Sequence, residues 1–150
     1  VGRLRWAKGG AARAGCLVGV DAMEAMSERI GVLVMAYGGP RRMADVKAYL
    51  ADVREGRPVS DGVLAEVERR YAQIGGGSPI LEHTRAQAQA LQRALEQIPG
   101  RFQVFVGMRH WRPFIREAVE GIVEAGIRRV IGLVMAPHYS RMSVGAYFDK

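Results

Sequence analysis

Three apolar, β-prone runs in this 150-residue chain are each followed at once by side chains able to bind a ligand or move a proton. Ile30 to Ala36 ends on Tyr37, Phe102 to Met108 ends on Arg109 and His110, and Val130 to Ala136 leads to His138, Tyr139 and Ser140. Open α/β sheets bind ligands outside the carboxyl ends of their strands, so three such ends point to one pocket. The chemistry on offer is a phenol, imidazoles and a guanidinium. Arg109 and His110 are therefore pocket candidates, although loops are polar for ordinary reasons too. Two further groups of arginines lie between the first two runs. Arg54 and Arg57 close one polar, helix-prone segment, and Arg70 stands beside Tyr71 near the end of the next. Arginine forks suit carboxylates, which makes an anionic ligand chemically reasonable. Arg57 reads better as part of a solvated face.

The elements that position these groups follow from pattern. Ile30 to Ala36 carries no charge and stops at Tyr37-Gly-Gly-Pro40, as a strand buried on both faces would. Helical segments are expected over Met43 to Arg54 and Asp61 to Ile74, with Ser60 as N-cap of the second and Gly56-Arg57-Pro58 between them. A glycine loop, Gly75 to Pro79, precedes a long amphipathic helix from Ile80 to Ile98 whose apolar face is Thr84, Ala88, Leu91, Leu95 and Ile98. Pro113 to Ala125 reads as a further helix with Phe114, Ile115, Ala118, Val119, Ile122 and Val123 as its stripe. Strands alternating with helices imply right-handed crossovers and a parallel sheet with helices on both faces, an α/β fold. Ser143 to Lys150 reads as the first turns of a helix that breaks off, which gives the expectation of a truncated chain.

Composition excludes several classes. A single cysteine, Cys16, leaves no disulfide framework, and the three histidines show no metal-site spacing; a reducing, cytoplasmic setting is expected. No stretch approaches the roughly 20 apolar residues of a membrane span. The net charge is +7, but Arg3, Arg5, Lys8 and Arg13 fall in the first twenty positions with no acid, leaving 18 basic against 15 acidic groups elsewhere. Residues 1 to 28 read as a disordered basic leader and 29 to 150 as one domain, so nucleic acid is not expected as a partner. Neither the phosphate-loop nor the dinucleotide pattern is present, because Gly75-Gly-Gly lies between two helices. Those glycines turn the chain or let backbone approach a flat ligand.

Leu33-Val-Met-Ala-Tyr-Gly-Gly-Pro40, Arg69-Arg-Tyr71, Ile74-Gly-Gly-Gly-Ser-Pro79, Gly107-Met-Arg-His110 and Ala136-Pro-His-Tyr-Ser140 with Ser143 and Tyr147 together resemble the ferrochelatase family in order and spacing. The resemblance implies a chelatase-like, Rossmann-like domain with a four-stranded parallel sheet, one of two such domains that hold a porphyrin between them. In the branch that uses coproporphyrin III a tyrosine follows the first strand and can ligate the iron axially, and Tyr37 stands at that position. A methionine there usually accompanies protoporphyrin IX. Carried over residue by residue, Tyr37, Arg54, Arg70, Tyr71, Ser78 and Tyr147 become porphyrin-binding groups. Ferrous iron and porphyrin are then substrates, with no tightly bound cofactor. The family's metal-handling histidine and glutamate belong to the second domain and are not encoded here, so the chain alone is expected to be nearly inactive. A cobalt or sirohydrochlorin chelatase of the same fold and a non-catalytic porphyrin or heme-binding module are the rival readings.

Overall fold

The first strand, β1 (Ile30–Ala36), is buried at all seven positions because it is the middle strand of the sheet and is covered on both faces. The computed structural model describes residues 29–98, 100–136 and 144–147. The expected leader, His138, Tyr139, Ser140 and Ser143 therefore lie outside the described residues.

After β1 a short 3-10 turn (Met43–Asp45) feeds helix α1 (Val46–Val53), followed by α2 (Asp61–Gln73) and α3 (Ile80–Leu95). Strand β2 (Phe102–Met108), helix α4 (Ile115–Glu124) and strand β3 (Arg129–Val134) complete the core, and a one-turn 3-10 helix occupies Gly145–Tyr147. Ser60 caps α2 as expected: its hydroxyl accepts from the Val63 N–H at 3.5 Å. Helix α4 starts two residues later than its proline suggested. Phe114 is extended, the Pro113 carbonyl accepts from the Met108 N–H at 2.7 Å, and the Glu117 carboxylate caps the Phe114 N–H at 2.8 Å.

The strand order is β2-β1-β3, all parallel, with Leu33 opposite Phe105 and Gly132. Right-handed crossovers send α3 to one face and α4 to the other. On the α4 face Leu33 and Met35 pack with Ile115, Ala118, Ile122, Ile127 and Tyr147. On the α3 face Ala36 and Met108 pack with Leu81. Each fully buried aliphatic side chain contributes about 1.5–3 kcal/mol, so β1 is the energetic centre of the domain. Val123, assigned from the sequence to the α4 stripe, is 63% exposed because it sits at the stripe's outer edge, rotated away from the sheet.

One expectation about the sheet is corrected. The described residues form three strands and not four. Beyond Val134 they comprise only Met135, Ala136 and 144–147, fewer than the dozen or so that a parallel crossover requires. Strand β3, at the edge of the sheet, alternates between exposed and half-buried residues. Val130 and Val134 pack against the α4-side core, while Ile131 and Leu133, on the opposite face, are 52% and 41% exposed. No helix among the described residues is long and apolar enough to cross a membrane.

The free edge of β2 is covered from α3. Gln92 accepts from the Val104 N–H at 2.8 Å and donates to the Phe102 carbonyl at 3.4 Å, satisfying backbone groups that a missing neighbour strand would otherwise have paired.

Candidate functional site

The loop after β1 and the loop before α3 are locked together by two glycines. A Cβ on Gly77 would lie 2.3 Å from the Arg41 carbonyl oxygen, and one on Gly39 would lie 2.6 Å from the Ser78 Cβ. Only without those carbons can the Ser78 N–H reach the Pro40 carbonyl at 2.8 Å. Of the two uses read from the sequence for the glycine loop, the turn is supplied by Gly75 and Gly76, with φ of 89° and 85°; Gly77 instead allows close approach to the Arg41 backbone. Gly38, at φ 88°, turns the chain directly after Tyr37 and lets Trp111 pack against it.

The carboxyl ends of β1 and β2 continue pairing past the strands. The Ala36 and Tyr37 carbonyls each accept at 2.9 Å, from the backbone N–H groups of Arg109 and His110 respectively. This brings three predicted site residues together. Tyr37 is 41% exposed, its ring centroid lies 4.6 Å from that of His110, and the Arg109 guanidinium sits 6.0 Å from its centroid. The same guanidinium is 5.7 Å from the ring of Tyr147, so Arg109 neighbours two phenols as a cation–π partner. Tyr147 itself is buried, its ring part of the α4-side core. Burial pushes its phenol above the ordinary range, with Arg109 opposing.

His110 is 2% exposed, and its Nδ1 lies 2.8 Å from Oδ2 of Asp52 on α1. Its ring is part of the support beneath Tyr37 and not of an open pocket wall. Asp52 went unnoticed in the sequence because its partner is 58 positions away.

Tyr71 on α2 meets the buried Tyr49 of α1 edge to face, centroids 6.4 Å apart, and Tyr49 meets Trp111 in the same way at 6.3 Å. Burial, then the neighbouring Tyr71 phenol, pushes the Tyr49 phenol far above its usual range. Tyr49 and Trp111 are also groups that sequence reasoning missed. The signal was present for Tyr49, three residues after Val46 and four before Val53 on one helical face.

The arginines are held loosely. Arg54 closes α1 and is exposed. Arg70 donates from Nε to Glu66 at 2.8 Å with 69% of its side chain in solvent, and Arg69 shares the same carboxylate. Hydrogen bonds first from Arg69 and then from Arg70 hold the Glu66 carboxyl below its ordinary range. Exposed pairs of this kind are weak, so Arg70 is free to exchange Glu66 for an incoming anion. Arg57 lies 3.9 Å from Glu55 on a solvated face, as its sequence context indicated.

Ser78 opens onto a shallow cleft of about 320 Å³ between the start of α3 and the end of β3, lined also by Ala36, Ile80, His83, Thr84 and Met135. Arg109 and Asp52 border a separate cleft of about 100 Å³. His83 is exposed at the mouth of the first. Among the described residues no group of three or more His, Cys, Asp or Glu side chains could hold a metal ion.

The class defined so far is a parallel α/β domain with aromatic and cationic groups gathered at the carboxyl end of its sheet. The ferrochelatase family model matches residues 29–150. A ferrochelatase of Deinococcus radiodurans is 44% identical over 121 residues, covering 81% of this chain and 38% of the relative. Coproporphyrin III ferrochelatases of Listeria monocytogenes and Staphylococcus epidermidis are each 43% identical, over 124 and 127 residues, covering 40% and 41% of those proteins. The chain belongs to the ferrochelatase family. It spans about two fifths of the length of these curated relatives.

Proposed function

We propose that this chain supplies the porphyrin-binding half of an enzyme that inserts ferrous iron into coproporphyrin III. Porphyrin and iron are both substrates in this reading, and no resident cofactor is needed. The observation that carries it is Tyr37, held half exposed at the carboxyl end of β1 between Arg109 and His110, where a phenol can meet the iron of a bound macrocycle. The names of the Listeria and Staphylococcus relatives support the choice of porphyrin.

Metalation releases two pyrrole protons as Fe²⁺ sheds its waters and takes four nitrogen ligands. This chain's residues bind and orient the acidic ring. Arg54 and Arg70 pair with propionates as bidentate donors, Ser78 and Tyr71 donate from their hydroxyls, and Tyr147 closes the site behind Arg109. A group that removes the pyrrole protons is not among them, so the isolated 150-residue chain binds without turnover. Location in the cytoplasm accords with this substrate pair.

The test is absorbance titration of the chain with iron coproporphyrin III and with metal-free coproporphyrin III. Saturable binding of both is expected, with Tyr37→Phe weakening the iron form selectively. Equal affinity of Tyr37→Phe for the iron form, or metalation by the isolated chain at the rate of a full-length relative, would overturn the proposal.

A further inference from the structure

The Asp52–His110 pair has no part in the chemistry above, yet its imidazole is almost wholly buried at this end of the sheet. The imidazole is 3% exposed and the carboxylate 34%. A carboxylate only accepts, so Nδ1 of His110 carries the hydrogen, which fixes both the tautomer and the ring plane. Without such a bond the terminal torsion of a histidine is broad. The ring so fixed is the one on which Tyr37 lies, tilted by 53° at 4.6 Å. The two residues are tied at the main chain as well, through the His110 N–H and the Tyr37 carbonyl at 2.9 Å.

We infer that Asp52 is a positioning residue for Tyr37: its carboxylate orients the His110 imidazole, and the imidazole sets the direction in which the Tyr37 phenol leaves the sheet. The consequence for iron binding rests on the reading of Tyr37 given above; the positioning itself does not. A bond that merely docked α1 onto the sheet would stabilise the domain without acting through Tyr37.

Two arms separate these cases. In the ligand-free chain, proton NMR follows the Tyr37 ring and the His110 Nδ1–H. In Asp52→Ala the Nδ1–H signal is lost to solvent exchange and the Tyr37 ring signals shift as the imidazole moves. In Asp52→Asn, which keeps an acceptor of the same size, the Tyr37 shifts stay close to those of the parent. Unmoved Tyr37 signals in Asp52→Ala, with His110 Nδ1–H gone, overturn the inference. If Asp52→Ala does not fold, Asp52→Ser takes its place, short enough to lose the contact. The second arm titrates iron coproporphyrin III. Asp52→Ala weakens binding by about fivefold in the parent, the size expected when binding must itself immobilise the Tyr37 side chain. It has less than about a twofold effect in a Tyr37→Phe background, where the positioned group is gone. Equal losses in both backgrounds overturn the inference. A parent chain that binds no porphyrin sinks the proposed function alone, since the ligand-free arm still decides the role of Asp52.

Discussion

Gly77→Ala is expected to be the most damaging single methyl group that can be added to the described surface of this domain. The added carbon would stand 2.3 Å from the Arg41 carbonyl oxygen, 2.7 Å from its carbon and 3.3 Å from the Arg42 nitrogen. All three are backbone atoms, so no rotamer change relieves the clash. Carbon and oxygen approach no closer than about 3.3 Å even in weak hydrogen bonds, so the two loops must part by about 1 Å. Parting them breaks the Ser78 N–H bond to Pro40. Overpacking of about 1–3 kcal/mol and a lost hydrogen bond of about 1 kcal/mol give a destabilisation of about 2–4 kcal/mol. At roughly 4 °C per kcal/mol for a body of this size, the melting temperature falls by about 8–16 °C. Gly62→Ala is the matched control. Gly62 lies in α2 with nothing within 4 Å of its added Cβ, so alanine there should stabilise by about 0.5 kcal/mol. Circular dichroism melts of the three proteins side by side provide the measurement. If Gly77→Ala melts within about 2 °C of the parent, the loop lock is not what holds Ser78 against Pro40.

Gln92→Ala leaves the Val104 N–H on the β2 edge unsatisfied, which should cost about 1–2 kcal/mol in urea titrations and raise self-association seen by light scattering. Tyr49 and Tyr147 both have phenols raised by burial, so the unfolded chain loses these protons first as pH climbs past the ordinary value of 10.0. The native state then holds more protons than the unfolded one, and stability, undiminished below that pH, falls above it. Urea midpoints against pH should show this decline, shallower in Tyr49→Phe. Arg70→Ala should weaken binding of coproporphyrin III several-fold at low ionic strength and less at high salt, read by absorbance titration, as fits an exposed charge contact.

Local pattern predicted those elements whose boundaries are themselves local. β1 and β2 are found where their apolar runs begin and end, with backbone pairing carried on only as far as Tyr37 and His110. α3 stops at Leu95 and not at Ile98, which is 47% exposed and so gains little from extending the helix's apolar face. The segment expected as one helix from Met43 to Arg54 divides into a 3-10 turn and α1. The β3 strand was legible as an apolar run, but not the alternation of its residues, since one face of this edge strand packs on the α4-side core and the other is half bare. At the site, strand-end logic located Tyr37, Arg109 and His110. What His110 does depends on Asp52, and what Tyr71 does depends on Tyr49; both partners come from another helix, and no spacing along the chain announces them.

The two margins of the sheet are unlike. On one, a glutamine side chain occupies the Val104 N–H and the Phe102 carbonyl of β2. On the other, β3 has no outer neighbour among the described residues and carries Ile131 and Leu133 half bare. Accretion is therefore biased: a strand arriving from elsewhere in the polypeptide or from another molecule meets a partly filled edge at β2, whereas beside β3 it gains backbone pairing and apolar cover together. Such a sheet has a direction of growth as well as a direction of its strands.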